Sequence, residues 1–509
     1  MNKSKQFVSS VFLSLLAVGL NYVITLLLTP YIVENIGTEA YGFVSLAKTF
    51  ANYALIFTTA LNTFAARFIS IEYFNRNIKK AQQYFNSVFF ADAFLGTVLL
   101  LIFGIVIVRL ERFLSIPSDL VVDVKILFLL DLLNFVILSC STVFQVANII
   151  KNRLDLTNIF KCISYISEAV FLGLCFRILP PKVYYVGSGL IVSSLVILLC
   201  NAIVTQRFTP ELKVDHSKFS YSALKEIVLP GIWGSVNMVG NTLNTGLDLV
   251  ITNLMLSSLK VGQLSIVKTV STIFTTLFSL LSQPFQPLLL KAYSKGDKAG
   301  VVGLFNLAIK FSGLLSNVIF AGFIVFGRTY YKLWVPSVDV DVLQFVSIIT
   351  LLGLVIEGSV TPLYYVYTLT TKIKLPCLVT ILSGLANVVG MFILLRFFDA
   401  DLWGVVGTTT VLTWGVNFIF NPLYTARCLE VDRYTFYPSI VKNILSAIVI
   451  LGMFKLISII YYPTNWFGLI VVALGCGAIG MSVHLIITLN KKEKRILMDK
   501  VGTLINRRR

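Results

Sequence analysis

Two lysines lie deep inside apolar stretches of this chain, and each heads a stripe of polar side chains. The first stripe is Lys48, Asn52, Thr59 and Asn62; the second is Lys268, Thr272, Thr275, Ser279, Ser282 and Gln286. Steps of three, four or seven keep side chains on one side of a helix, because about 3.6 residues complete a turn. The two lysines stand 220 positions apart. A third polar face, Asn237, Asn241, Asn244 and Asp248, is matched in register by Ser14, Asn21 and Thr25. Single Ser, Thr or Asn residues usually serve as hydrogen-bonding glue between spans. Four such faces at matching positions instead point to a water-filled interior, since a charge in hydrocarbon is tolerated only where it faces protein or water. Two ammonium groups lining such an interior suit a phosphate or pyrophosphate. Transport of an anion is the chemistry this favours over catalysis.

The elements that must hold these residues are membrane helices. The chain has 509 residues, 57% of them hydrophobic and only 13% charged, too little charge to clothe a soluble protein of this size. Fourteen apolar segments are long enough to cross a hydrocarbon layer of about 30 Å. Their approximate limits are 8–30, 41–66, 86–109, 123–149, 156–179, 183–204, 228–255, 262–290, 301–327, 342–368, 375–397, 402–425, 441–461 and 466–489. The fold expected is therefore an all-α polytopic membrane protein.

Lys and Arg number 42 against 24 Asp and Glu, an excess that would suit nucleic acid if it were clustered. Its placement argues otherwise. With a cytoplasmic amino terminus, 27 of the basic residues fall in cytoplasmic loops and tails, eight fall outside and seven in spans. The positive-inside rule then puts both termini in the cytoplasm and makes anionic inner-leaflet lipids the partner of the basic excess. The first span lacks an Ala-x-Ala cleavage site and is too long for a signal-peptide core, so it is expected to be retained. Seven cysteines and two histidines show no metal-ligand spacing, so no metal and no cofactor is expected.

Residues 21–49 align without gaps on 241–269, sharing Asn21/Asn241, Thr25/Thr245, Leu27/Leu247, Gly42/Gly262, Ser45/Ser265, Lys48/Lys268 and Thr49/Thr269. Each half holds an even number of spans, so the repeat is parallel. The organisation expected is two pseudo-symmetric six-helix lobes (1–205 and 228–426), a cytoplasmic linker (206–227), two additional spans (427–490) and a basic tail (491–509). The linker is expected to run into an amphipathic helix.

Among the remaining buried charges, Glu357 is the ion-coupling candidate, because a desolvated carboxylate holds protons more readily, with a structural partner as the equal alternative. Asp248 is placed to neutralise Lys268. Lys48 has no equivalent, and Glu34 and Glu39 are its nearest candidates. Lys161 and Glu168, seven apart, are expected to face one interior or to join an internal ion network. Asp92, Asp131 and Lys310 fall nearer the ends of spans and are expected to be structural, and Lys455 has no assigned role. The Asp339/Asp341 and Asp399/Asp401 pairs lie in loops too short for a catalytic domain.

The stretch TPYIVENIGTEAYGFVSLAKTF (29–50), with its IG-x-E-x-YG turn, resembles the first-to-second-helix signature of polysaccharide flippases. DLVITNLMLSSLKVGQLSIVKT (248–269) resembles the counterpart opening the second half. Together with the span layout, the chain is similar to the MOP flippase superfamily, Wzx-type. The resemblance implies two bundles around a central cavity, alternating access, and cationic residues on the second and eighth helices, where Lys48 and Lys268 stand. It also implies a lipid-tail groove at the two extra helices. The expectation is a monomeric flippase for an undecaprenyl-diphosphate-linked oligosaccharide in the bacterial cytoplasmic membrane, with polysaccharide polymerase and assembly proteins as candidate partners. The expected substrate-binding residues are Lys48, Lys268, Asn52, Thr59, Asn241, Asn244, Asp248, Thr272 and Thr275. A multidrug or organic-cation antiporter is the alternative on the same fold, and a membrane glycosyltransferase or polymerase the alternative of another class.

Overall fold

The computed structural model describes residues 3–491, 493 and 494. The predicted basic tail lies outside the described residues apart from Lys491, Glu493 and Lys494. Every regular element described is helical. We label the helices by span: α1 Lys3–Asn35, α2 Thr38–Phe74, α3 Ile78–Val108, α4 Val121–Phe144, α5 Leu154–Ile178 and α6 Tyr184–Phe208. Span α7 is composite, Tyr221–Asn241 running through a π-helical turn, Thr242–Gly246, into Asp248–Met255. α8 is Ser258–Ser282, prolonged by Phe285–Ser294, and α9 is Lys298–Trp334. α10 is Val340–Val360, bent at Pro362 and ending in Tyr365–Leu369, and α11 is Lys374–Phe397. α12 is Leu402–Trp414, a π-helical turn Gly415–Phe420, and Asn421–Leu429; α13 is Tyr437–Ile460 and α14 Trp466–Thr488.

Twelve of these helices are long and apolar enough to cross a membrane. The two others are α4 and α7. α7 is interrupted by its π-helical turn and α4 carries Asp131 within its apolar run; both keep their place in the bundle. Lipid-facing character is plain elsewhere: Leu101, Ile105 and Val108 of α3 and Ile459 and Ile460 of α13 are exposed, an outer surface that water would not accept.

The chain forms two compact units, Met1–Ser265 and Ile266–Arg509. In the first, α2 packs on α3, α4 and α7, while α5 packs on α1 and α6, and α4 on α6. Glycines set the α2–α7 distance. A Cβ at Gly231 would stand 1.9 Å from the Ala60 carbonyl oxygen, and one at Gly234 would stand 2.8 Å from Thr63 Oγ1. Such small-residue seams let two helix backbones approach closely. Above them Ser235 donates to the Ile56 carbonyl (2.5 Å) and Tyr53 donates to the Gly246 carbonyl (2.7 Å), the latter engaging the π-helical turn. The IG-x-E-x-YG stretch holds two glycines with different duties. Gly37 has φ +117°, a left-handed turn between α1 and α2 that only glycine takes without strain. Gly42 instead allows contact with its repeat equivalent: a Cβ there would meet Gly262 N at 2.7 Å, and one at Gly262 would meet the Thr38 oxygen at 2.1 Å.

The chain leaves α6 at Phe208 and, after a 3-10 turn at His216–Lys218, enters α7 at Tyr221. Residues 209–220 are pinned to the start of α3: Asn86 Nδ2 donates to the Lys213 carbonyl, Asp215 N donates to Asn86 Oδ1, and Ser220 N donates to Ser87 Oγ.

In the second unit α9 is the central helix, packed by α10, α13 and α14. The last two spans are fastened by a buried polar cluster. His484 Nε2 faces the Lys310 carbonyl at 2.8 Å, so Nε2 carries the hydrogen and Nδ1 accepts. Nδ1 receives Ser446 Oγ at 2.9 Å and Asn317 Nδ2 at 3.3 Å. Asn443 Nδ2 donates to the Ile309 carbonyl, and Lys310 pairs with Glu493 at 2.8 Å. Three buried polar side chains, His484, Ser446 and Asn317, thus bond one another across three spans.

Candidate functional site

In the first unit α2 turns one face inward, through Ala54, Thr58, Leu61 and Ala65, because these small or apolar side chains meet α3 and α4. The opposite face carries Lys48 and Asn52, both exposed from this unit. Thr59 and Asn62 continue the stripe but are half-buried. Thr59 bonds its own helix at the Leu55 carbonyl and touches the Gly234 seam, whereas Asn62 donates to Asp92 Oδ1 at 3.1 Å. The stripe is thus divided between an exposed upper half and a lower half engaged in packing.

Asn241 is exposed on α7, and Asn244 and Asp248 lie inward of it. Asn244 Nδ2 is turned back onto the Gly240 carbonyl. Asp248 is buried within electrostatic reach of Tyr53, a residue that the spacing argument passed over because an aromatic ring does not read as polar. In the second unit Lys268 and Thr275 are half-buried and Thr272 is exposed. Thr272, Thr275 and Ser279 each bond a carbonyl one turn back, and Ser282 meets Ser312 at 3.1 Å.

Glu357 stands beside a cluster that sequence reasoning missed. Tyr364, just past the α10 bend, is within electrostatic reach of Glu357 and donates to Asn417 Oδ1 at 2.8 Å. Asn421 Nδ2 donates to the same oxygen at 2.9 Å, and Tyr367 donates to Asn421 Oδ1. Pro362 and the π-helical turn of α12 place these groups together; π turns recur at functional positions. The one sequence signal was Pro362 following a buried acid.

The surroundings of Lys48 correct the sequence expectation. Neither Glu34 nor Glu39 supplies its counter-charge; its ammonium acts on the carboxyls of Asp131 in α4 and Glu168 in α5. Asp131 is therefore not a charge at the end of a span. Lys161, expected to share an interior with Glu168, is exposed, while Glu168 is buried. The Asp-x-Asp pairs are structural at three of their four positions: Asp339 caps α10, Asp401 caps α12, and Asp341 pairs with Arg328 at 2.8 Å. Lys455 is exposed on α13, near its Ile460 end. Among the described residues no group of three or more His, Cys, Asp or Glu could hold a metal.

The chain folds as a multi-pass helical bundle. It superposes on an inward-closed structure of the lipid II flippase MurJ with a TM-score of 0.67, 15% identity, and coverage of 93% of this chain and 99% of that one. An inward-facing multidrug-resistance MATE transporter of the MOP superfamily gives 0.63 at 15% identity, covering 83% and 96%. At such identities the likeness speaks for the fold alone. The sequence narrows the class. The model of the family "Polysaccharide biosynthesis protein" matches residues 7–288, more than half of the chain, and the chain belongs to that family. It is similar over 493 residues, at 25% identity and 96% coverage of both chains, to the uncharacterized membrane protein EpsK of Bacillus subtilis (strain 168). Family and fold together make it a multi-pass helical member of that polysaccharide-biosynthesis family, with the fold that MurJ and the MATE transporter share.

Proposed function

We propose that this protein carries a polyprenyl-diphosphate-linked oligosaccharide from the inner to the outer leaflet for assembly of a cell-surface polysaccharide. The observation that carries the reading is Lys48: an exposed cation ten residues into α2, about 15 Å from the helix end, on a face it shares with exposed Asn52. A compact ammonium there suits a diphosphate, and amides and hydroxyls suit sugar hydroxyls. Asn241, Asn244, Asp248, Lys268, Thr272 and Thr275 are proposed to contact the same cargo as it passes. Glu357, beside Tyr364, is proposed as the coupling-ion position. The end bearing linker 209–220 is taken as cytoplasmic, as the positive-inside rule directs. Alternating access then moves the head group while the polyprenyl tail stays in the bilayer. The diphosphate carrier is consistent with MurJ, whose name states lipid II as its cargo.

The test is the lipid-linked sugar pool of cells carrying only Lys48→Ala protein, resolved by leaflet and identified by mass spectrometry. One diphosphate-linked oligosaccharide should accumulate on the cytoplasmic side while the protein inserts normally. Normal export by that variant refutes the assignment. An unchanged pool with altered sensitivity to cationic drugs would favour an antiporter.

A further inference from the structure

Three buried polar groups share the depth of Lys48. Lys48 is ten residues from the start of α2 at Thr38, and Asp131 is ten from the start of α4 at Val121. Glu168 is ten residues from the end of α5 at Ile178, and Ser193 nine from the start of α6 at Tyr184. All four therefore lie about 14–15 Å from the same face of the bundle, at about 1.5 Å per residue. Asp131 is 2% exposed and Glu168 is 8% exposed. Ser193 donates to Glu168, and both carboxyls feel the Lys48 ammonium. Neither oxygen of Asp131 has a hydrogen-bond partner among the described residues, and Lys48 forms no ion pair within 4.0 Å among them. The lysine is thus held in the field of the two acids without being locked to either.

Packing does not require acids at these positions. In the second unit the same depth from Val340 in α10 is Thr350, and from the Phe397 end of α11 it is Asn387. Asn387 is fully buried and accepts from Thr409 of α12 at 3.2 Å, much as Glu168 accepts from Ser193. One repeat therefore builds this level from Thr, Asn and Thr, and the other from Asp, Glu and Ser. Carboxylates are expensive to bury, so their presence at this depth in the lobe of Lys48, and not at the same depth of the other, calls for a role tied to that cation.

We propose that Asp131 and Glu168 are the exchangeable counter-ions of Lys48, and that an anionic head group taking Lys48 leaves this pair to bind a proton from water. Cargo binding and proton uptake are then linked in the first unit. The proposal rests on the assignment of Lys48 to the diphosphate. The balance is simple: the ammonium keeps its proton and turns its charge to the phosphate, and one carboxylate becomes a carboxylic acid. Two like charges left together in apolar surroundings do not both persist. The other groups around the level do not supply the missing charge. α1 offers Asn21 and Thr25, and α3 offers Asp92, which is held by Asn62 farther along the bundle. α4 has Asp123 and Lys125 at its end, engaged by Lys182 and Glu111. α5 has Tyr165 and, two turns away, exposed Lys161; α6 has Tyr184 and Tyr185 at its end. By linkage, an anion that binds with proton uptake binds more tightly at lower pH, and a proton bound at the pair favours the anion equally.

The experiment is calorimetric titration of the purified full chain with geranyl diphosphate near pH 8, in buffers of different ionisation heat. The probe is essentially fully ionised there, its second phosphate ionisation lying near pH 6, so protons taken up are the protein's. Wild type should take up about one proton per ligand. Asp131→Asn with Glu168→Gln should take up none and bind the probe more tightly, because the competing counter-ions are gone. Uptake unchanged in the double variant, or absent in wild type, overturns the proposal. Lys48→Ala separates the two claims. Wild-type affinity in that variant brings down the diphosphate assignment itself, whereas lost affinity with uptake persisting in the double variant brings down only the counter-ion proposal. If the double variant does not purify as a monodisperse protein, Asp131→Asn alone is used, with the same fall in uptake expected.

Discussion

Substituting Gly262 by alanine tests the close approach of α8 to α2. The new Cβ would stand 2.1 Å from the Thr38 carbonyl oxygen and 2.7 Å from the Thr38 carbonyl carbon, against ordinary contact beyond 3.4 Å. The obstacle is backbone, so no rotamer change relieves it, and the helix start must retreat by more than about 1 Å. Overpacking of this kind costs about 1–3 kcal/mol. Alanine recovers about 0.5–1 kcal/mol through helix propensity, which leaves the variant destabilised by about 1–2 kcal/mol. Gly104 and Gly173 are the controls, since a Cβ at either meets nothing within 4 Å. Alanine there should raise stability by about 0.5–1 kcal/mol, through propensity alone. The assay is the melting temperature of the detergent-solubilised protein, followed by tryptophan fluorescence at one scan rate. The expected order is Gly173→Ala and Gly104→Ala above wild type, with Gly262→Ala below it by a few degrees. Gly42→Ala should fall between wild type and Gly262→Ala, because its nearest obstacle is farther away at 2.7 Å. A Gly262→Ala protein melting with the controls would refute the reasoning.

Two other perturbations have clear expected outcomes. His484→Ala leaves the Lys310 carbonyl, Ser446 and Asn317 without their shared partner, at about 1–3 kcal/mol for each buried group that finds no substitute. Its melting temperature should drop, and limited proteolysis should release α13–α14 before the rest of the chain. Glu226, at the start of α7, is held below the usual carboxylate range first by a hydrogen bond from Tyr84 and then by Lys80. A lowered carboxylate stabilises the fold above its ordinary pKa, and that contribution fades as pH falls through the lowered value. Hydrogen exchange in residues 209–220 should therefore quicken on acidification below about pH 4, with Glu226→Gln quick at every pH. The group is exposed, so the effect should be small and should shrink with added salt.

What the sequence carried by itself was everything set by local periodicity and by solvent. Run length and apolarity placed the helices in a membrane, and spacing put Lys48 with Asn52 on one exposed face. The 220-residue offset identified Gly42 and Gly262 as equivalents before their contact was visible. Even the two glycines of the IG-x-E-x-YG turn were legible as a motif, though their separate duties were not. A π-helical turn was invisible in Thr242–Gly246 and Gly415–Phe420, because one extra residue in a turn leaves no mark on an apolar pattern. Which charge meets which was decided only by the tertiary structure. Periodicity assigns a residue to a face of its own helix but says nothing of the neighbour that face will meet. Asp131 and Glu168 lie 83 and 120 residues beyond Lys48, and only the packing of α2, α4, α5 and α6 brings the three to one depth.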